Sequence, residues 1–128
     1  MIRALDAPPD CLGDEGSGTV NSLGLIALAI TLSLLLAGVS AARTAAVRLQ
    51  AVADLAALAG AERSAISPWE DVGAAPCDAV ASVTAANEVG VESCEVLGSD
   101  CRVIVSEFVR IMGVSVEIRA KARAGQEQ

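Results

Sequence analysis

The sequence predicts an α+β protein: a long N-terminal apolar (transmembrane) helix continuing into a small head of one further helix and a three-stranded antiparallel sheet. Three observations lead there. No charged residue stands between Gly16 and Ala42. The Ala- and Leu-rich chain that follows keeps a helical apolar stripe. From Val91 onward, apolar residues recur at every second position, the period of a strand.

The apolar block decides what kind of chain this is. Ser22 to Ala42 reads SLGLIALAITLSLLLAGVSAA. Crossing about 30 Å of hydrocarbon takes about 20 apolar residues at 1.5 Å each. Ser22, Thr31, Ser33 and Ser40 are tolerated because a hydroxyl can bond back to a helix carbonyl. The alternatives are a buried helix of a soluble protein and a cleaved secretory signal. A buried helix rarely runs so long without a charge. A secretory signal needs a basic n-region, whereas Asp6, Asp10, Asp14 and Glu15 outnumber Arg3 here, although a small-residue cut after Ala41 or Ala42 is present.

The helix signal continues past Ala42. Leu49, Val52, Ala53, Ala56 and Ala59 fall on one stripe, with Arg48, Asp54 and Glu62 off it. One helix from about Thr19 to about Glu62 would be roughly 65 Å long. Pro68, Gly73 and Pro76 end it in a loop. A second helix is expected from Pro76, which suits a first turn, to about Glu88, with Gly90 as its left-handed terminus.

In the first strand Glu92, Cys94 and Val96 share a face opposite Val91, Ser93 and Glu95. Gly98-Ser99-Asp100 supplies a turn. Cys101, Val103 and Val105 then alternate with Arg102, Ile104 and Ser106. Val114, Val116, Ile118, Ala120 and Ala122 alternate with Ser115, Glu117, Arg119, Lys121 and Arg123. One apolar and one charged face describe a meander with one side in water. The expected organisation is a leader over 1–16, a transmembrane helix over 17–42, a helical extension over 43–63, a loop over 64–75, a head over 76–125 and a polar tail over 126–128.

Composition removes several functions. The 128 residues include no His, so His-based catalysis and ligation are excluded. A net charge of −7 argues against nucleic acid. Asp54 and Glu62 lie two helical turns apart, and Glu70, Asp71 and Asp78 sit in a loop. Paired carboxylates need a cleft to do acid–base work, and nothing in the sequence predicts one. Asp54 also reads as a surface carboxylate bonded to Gln50 at i, i+4. Trp69 reads as a loop residue packed on the head or as an interfacial anchor. No enzyme, cofactor, metal or small-molecule substrate is expected.

Of the four cysteines, Cys11 precedes the apolar block, leaving three pairs among Cys77, Cys94 and Cys101. With a three-residue turn, Leu97 faces Cys101 and Cys94 faces Ile104, which disfavours Cys94–Cys101 because bridged Cα atoms lie within about 4.4–6.8 Å. A Cys77–Cys94 bridge would close a loop of roughly 18 residues and add about 3 kcal/mol. It would form only in an oxidising compartment, outside the cytoplasm. The alternative is three buried free thiols. The spacings lack the close pairs typical of zinc. Arg43 and Arg48 after the block, against Arg3 before it, favour the opposite orientation by the positive-inside rule.

The stretch Asp14-Glu15-Gly16-Ser17-Gly18-Thr19-Val20-Asn21 resembles the prepilin processing region of TadE/TadG-like pseudopilins of the tight-adherence (type IVc pilus) machinery. In that pattern a charged leader ends in Gly, four small or apolar residues precede a Glu, and the apolar helix follows. The resemblance implies Gly16 before the cut and Ser17 as the new N-terminus. The Glu position holds Asn21, which cannot neutralise a neighbouring subunit's amino terminus, and acids replace the usual Arg residues near the cut. Arg48-Leu-Gln-Ala-Val-Ala-Asp54-Leu-Ala-Ala-Leu-Ala59 is similar to the RxQxAADLAALA run of actinobacterial TadE-like proteins encoded near secretion and helicase genes. Cys77, Ala85-Ala86-Asn87, Cys94-Glu-Val-Leu-Gly98 and Ala120-Lys-Ala-Arg123-Ala-Gly125 follow in the family's order, with Cys77 and Cys94 on its two cysteines and Cys101 additional.

The resemblance implies a non-enzymatic, membrane-anchored pseudopilin-like component of a Tad-type pilus or secretion system. Its head would lie outside the cytoplasm, and its partners would be the membrane, other pilin-like or secretion-system subunits and a prepilin peptidase. Small residues at Gly24, Ala27, Ala29, Gly38, Ala41 and Ala42 would let helices approach closely in lipid. The alternatives are a single-span envelope protein with a stapled binding head and a secreted domain released by signal peptidase.

Overall fold

The computed structural model describes residues 16–66 and 72–125. The expectations for the leader residues 1–15 (Cys11 among them), for Pro68, Trp69, Glu70 and Asp71, and for the tail 126–128 lie outside the described residues. The elements run α1 (Ser17–Ala65), α2 (Ala75–Ala86), β1 (Gly90–Leu97), β2 (Asp100–Ile111) and β3 (Val114–Ala124). The strands form an antiparallel meander in the order β1-β2-β3. This is the expected α+β class. The chain divides into two compact units, meeting between Ala37 and Gly38.

In the first unit α1 presents apolar and hydroxyl side chains and the single amide of Asn21, with no charge. The hydroxyls are absorbed by the helix itself: Ser22 donates to Gly18 O (2.8 Å), Thr31 to Ala27 O (2.7 Å) and Ser33 to Ala29 O (2.8 Å). Leu23, Ile26, Leu28, Ile30, Leu32, Leu34, Leu35 and Leu36 all remain more than half exposed. Such a surface is insoluble unless something apolar covers it. The helix is long and apolar enough to cross a membrane.

In the second unit the same helix is covered on one side. Leu49, Val52, Ala53, Ala56, Ala57 and Ala61 pack with Val80 of α2, with Val89, and with Cys101, Val103, Val105, Ala120 and Ala122 of the sheet. Gly60 and Ala57, more than Ala59, complete the buried stripe. The packing is close because the helix residues are small. A Cβ on Gly60 would collide with the Cys101 Sγ and stand 3.0 Å from Val80 Cγ2. Buried Ser64 and Thr84 hydroxyls donate to Gly60 O and Val80 O, both at 3.0 Å.

Three boundaries depart from the sequence expectation. α2 ends at Ala86, short of the expected Glu88, and the left-handed residue is Glu88 (φ 58°), two positions before Gly90. The Glu88 N–H donates to Ala85 O and that of Val89 to Thr84 O, which is a Schellman termination built on Glu instead of Gly. The β1–β2 turn holds two residues, not three, because Gly98 adopts φ 63° and Leu97 pairs with Asp100. Cys94 therefore faces Val103 and Cys101 faces Val96. A β-bulge at Val91/Ser93 takes Glu92 out of the ladder, so it does not share the face of Cys94 and Val96. Its carboxylate instead meets Arg119 Nε on β3 at 2.8 Å.

The β2–β3 hairpin is longer than its cover. The alternation of β3 holds throughout, yet only Ala120 and Ala122 are buried and Ile118 half-buried, while Val114 and Val116 are exposed. β2 runs antiparallel to α1, with Cys101 at Gly60, Glu107 at Arg48 and Met112 at Gly38. From Gly60 to Gly38 the helix spans about 33 Å at 1.5 Å per residue, and Cys101 to Met112 about 36 Å at 3.3 Å per residue.

Candidate functional site

The residues singled out for processing sit where α1 begins. Ser17 is its first residue, and the Gly16 carbonyl accepts from Val20 N (3.4 Å) and the Thr19 hydroxyl (3.2 Å). Asn21 is exposed, and the first turn holds no acid. A Cβ on Gly16 would meet nothing within 4 Å, so packing does not demand Gly there.

In the second unit Cys77, in the first turn of α2, is joined to Cys94 on β1, with Cα atoms 5.9 Å apart. Cys101 is free and buried against Gly60, and burial pushes its thiol pKa up. A thiol held protonated in a core is neither nucleophile nor ligand.

The structure also explains residues that the apolar pattern leaves aside. Arg48 lies off the stripe, yet its guanidinium donates to Glu107 of β2 (3.0 Å) and to Asn87 O at the end of α2 (3.1 Å). The Gln50 amide donates to Asp54 (2.9 Å), as the i, i+4 spacing anticipates, and also to Lys121 O of β3 (3.0 Å). Arg48 and Gln50 thus tie α1 to three other elements, while Ala53, Ala56 and Ala57 of the same run fill the core. The Arg-x-Gln pattern was the available signal: two long polar side chains bordering an Ala-rich stripe.

Among the described residues, the carboxylates weighed for acid–base work do not form a site. Asp54, Glu62 and Asp78 are exposed and do not converge. Among the described residues no group of three or more His, Cys, Asp or Glu is placed to hold a metal. A depression of about 370 Å³ on the outer sheet face is lined by Arg102, Ile104, Lys121, Ala122 and Arg123. A smaller one of about 150 Å³ lies among Leu58, Ala61, Glu62, Ala65, Ser99 and Gly125.

Residues 16–64 match the family described as "Putative Flp pilus-assembly TadE/G-like". No curated protein and no solved structure matches the chain. The matched residues coincide with α1 and include Gly16, Ser17, Asn21, Arg48, Gln50 and Asp54. That family is one of pilus-assembly components, and the similarity of this chain to it covers residues 16–64.

Proposed function

We propose that the chain is a membrane-anchored, pseudopilin-like component of a Tad-type (type IVc) pilus or secretion system. The observation that carries this reading is the uncovered, charge-free first part of α1, beginning at Ser17 within the segment that matches the pilus-assembly family. The leader is cut between Gly16 and Ser17 by a prepilin peptidase. Residues 17–42 lie in the bilayer or against like helices of other subunits. The head lies outside the cytoplasm, where the Cys77–Cys94 bridge survives. Cation count favours the other orientation, but Arg43 and Arg48 are a weak signal, and Arg48 is engaged with Glu107 and Asn87.

Asn21 supports a second reading, a single-span envelope protein that keeps its leader, because Asn offers no charge to a neighbour's amino terminus. N-terminal sequencing of the membrane-extracted protein, made with and without a prepilin peptidase, separates them. Ser17 appearing only with the peptidase is the expected result. Met1 or Ile2 in both preparations would leave the single-span anchor, and Ala42 or Arg43 would mean a secreted domain.

A further inference from the structure

The far end of the β2–β3 hairpin is apolar on one face and only partly covered there, and its other face carries Phe108 beside Arg110 and Ser115. Val109, Ile111, Val114 and Val116 share the face directed toward α1, and Phe108 stands on the other. Phe108 is 72% exposed, Met112 65% and Val114 63%. Elsewhere the outer sheet face is charged, with Arg102, Arg119, Lys121 and Arg123. A sheet with one face in water keeps its apolar residues on the covered side; here Val114 and Val116 lie exposed on that side, and Phe108 stands among the polar residues of the other.

The turn points the same way. Met112 and Gly113 both adopt positive φ (50° and 84°). A two-residue turn of that kind favours Asn-Gly or Asp-Gly, because a side chain without a local polar group is disfavoured there. Here the strained position at an exposed tip holds Met. Ile111-Met112-Gly113-Val114 carries no charge at all.

The position of the tip identifies its surroundings. A Cβ on Gly38 would stand 3.2 Å from Met112 Sδ. Gly38, Ala42 and Ala45 form the half-buried stripe of α1 at this end of the sheet. Gly38 is five residues inside the charge-free run, which ends at Arg43. Along a helix that is about 7.5 Å, and amphipathic elements lie about 5–10 Å into the headgroup and acyl boundary. The tip is therefore level with apolar helix and not with the first charge after it.

We propose that the β2–β3 tip, Phe108 to Val116, is inserted in the lipid–water boundary beside the last turn of the charge-free helix, giving the head a second contact with the bilayer. The proposal rests on the reading that residues 17–42 lie in the membrane. Arg110 can extend toward headgroups while its stem stays apolar. The contact fixes the head against the bilayer surface instead of leaving it on a free tether.

The test uses the full chain carrying Cys11→Ser, reconstituted in phosphatidylethanolamine/phosphatidylglycerol vesicles. An environment-sensitive dye is attached at Met112→Cys, at Leu32→Cys or at Glu95→Cys. Mass mapping first checks that Cys77–Cys94 is intact and that Cys101 is unlabelled. Lipids with a quencher at a shallow acyl carbon are expected to quench the dye at 112, and deeper quenchers the dye at 32. The dye at 95 stays unquenched. A dye at 32 that no lipid quenches would overturn the membrane reading and the proposal with it. Quenching at 32 without quenching at 112 would overturn the proposal alone. A blue-shifted but unquenched dye at 112 would also overturn it, because the tip would then be covered by protein.

Discussion

The two parts of α1 are built from much the same residues and live under opposite conditions. Between Leu23 and Leu36 the bulky side chains surround the helix, and none is covered. Between Leu49 and Ser64 the stripe is mostly Ala and Gly, and it is almost wholly buried. Apolar content does not separate them. Size and polar flanks do: small residues let the sheet come close, and Arg48 and Gln50 lock it in place. Large residues on every side leave no seam for this chain to close and suit a helix solvated by lipid or by its own kind.

The comparison breaks first at Leu49. Leu49→Ala removes the largest fully buried side chain of the head and should cost about 2–5 kcal/mol. Leu32→Ala, an equal truncation in the first part, should leave head unfolding unchanged. Denaturant unfolding of the full chain in detergent, followed through head circular dichroism, would read both, and equal losses would erase the distinction. Next is the bridge: replacing Cys77 and Cys94 together by Ser should cost about 3 kcal/mol by the loop-entropy argument. Gly60→Ala tests the close approach itself. The added methyl meets Cys101 and Val80, and overpacking of this kind costs about 1–3 kcal/mol, whereas Gly24→Ala, where a Cβ meets nothing within 4 Å, should be silent.

Two smaller effects sharpen the picture of the head. Glu88→Gly relieves the left-handed position at the end of α2 and should stabilise by up to about 1 kcal/mol. Cys101 gives a pH dependence. Burial raises its pKa above the ordinary 9.0, so the unfolded chain loses this proton first. Its effect on stability is therefore absent below pH 9 and becomes a loss as pH rises from there toward the folded pKa. Cys101→Ala should flatten that slope in unfolding curves taken across the range.

Much of this fold was legible because its periods are clean. The charge-free run, the stripe from Leu49 and the alternation of β3 each state their environment directly. Pattern and structure part where one residue departs from its usual habit. Glu88 ends α2 in a conformation normally left to Gly, so Gly90 drew the boundary too far on. A two-residue turn at Gly98-Ser99 shifted the register by one. Glu107 lies on the inward face of β2 and interrupts the alternation, so nothing marked the strand as continuing to Ile111. Its partner is Arg48, 59 positions earlier, and no local pattern reveals such a pairing. The exposure of Val114 and Val116 was equally hidden, because alternation predicts a face and not what covers it. At the processing region, Gly16, Ser17 and Asn21 were found by resemblance, and their geometry adds only that the helix starts there.

A pseudopilin-like role requires residues 22–42 to lie in hydrocarbon. Washing membranes that contain the full chain with alkaline carbonate tests this most directly. Retention of the protein in the vesicle pellet, with release only by detergent, is the predicted result; recovery in the wash would contradict it.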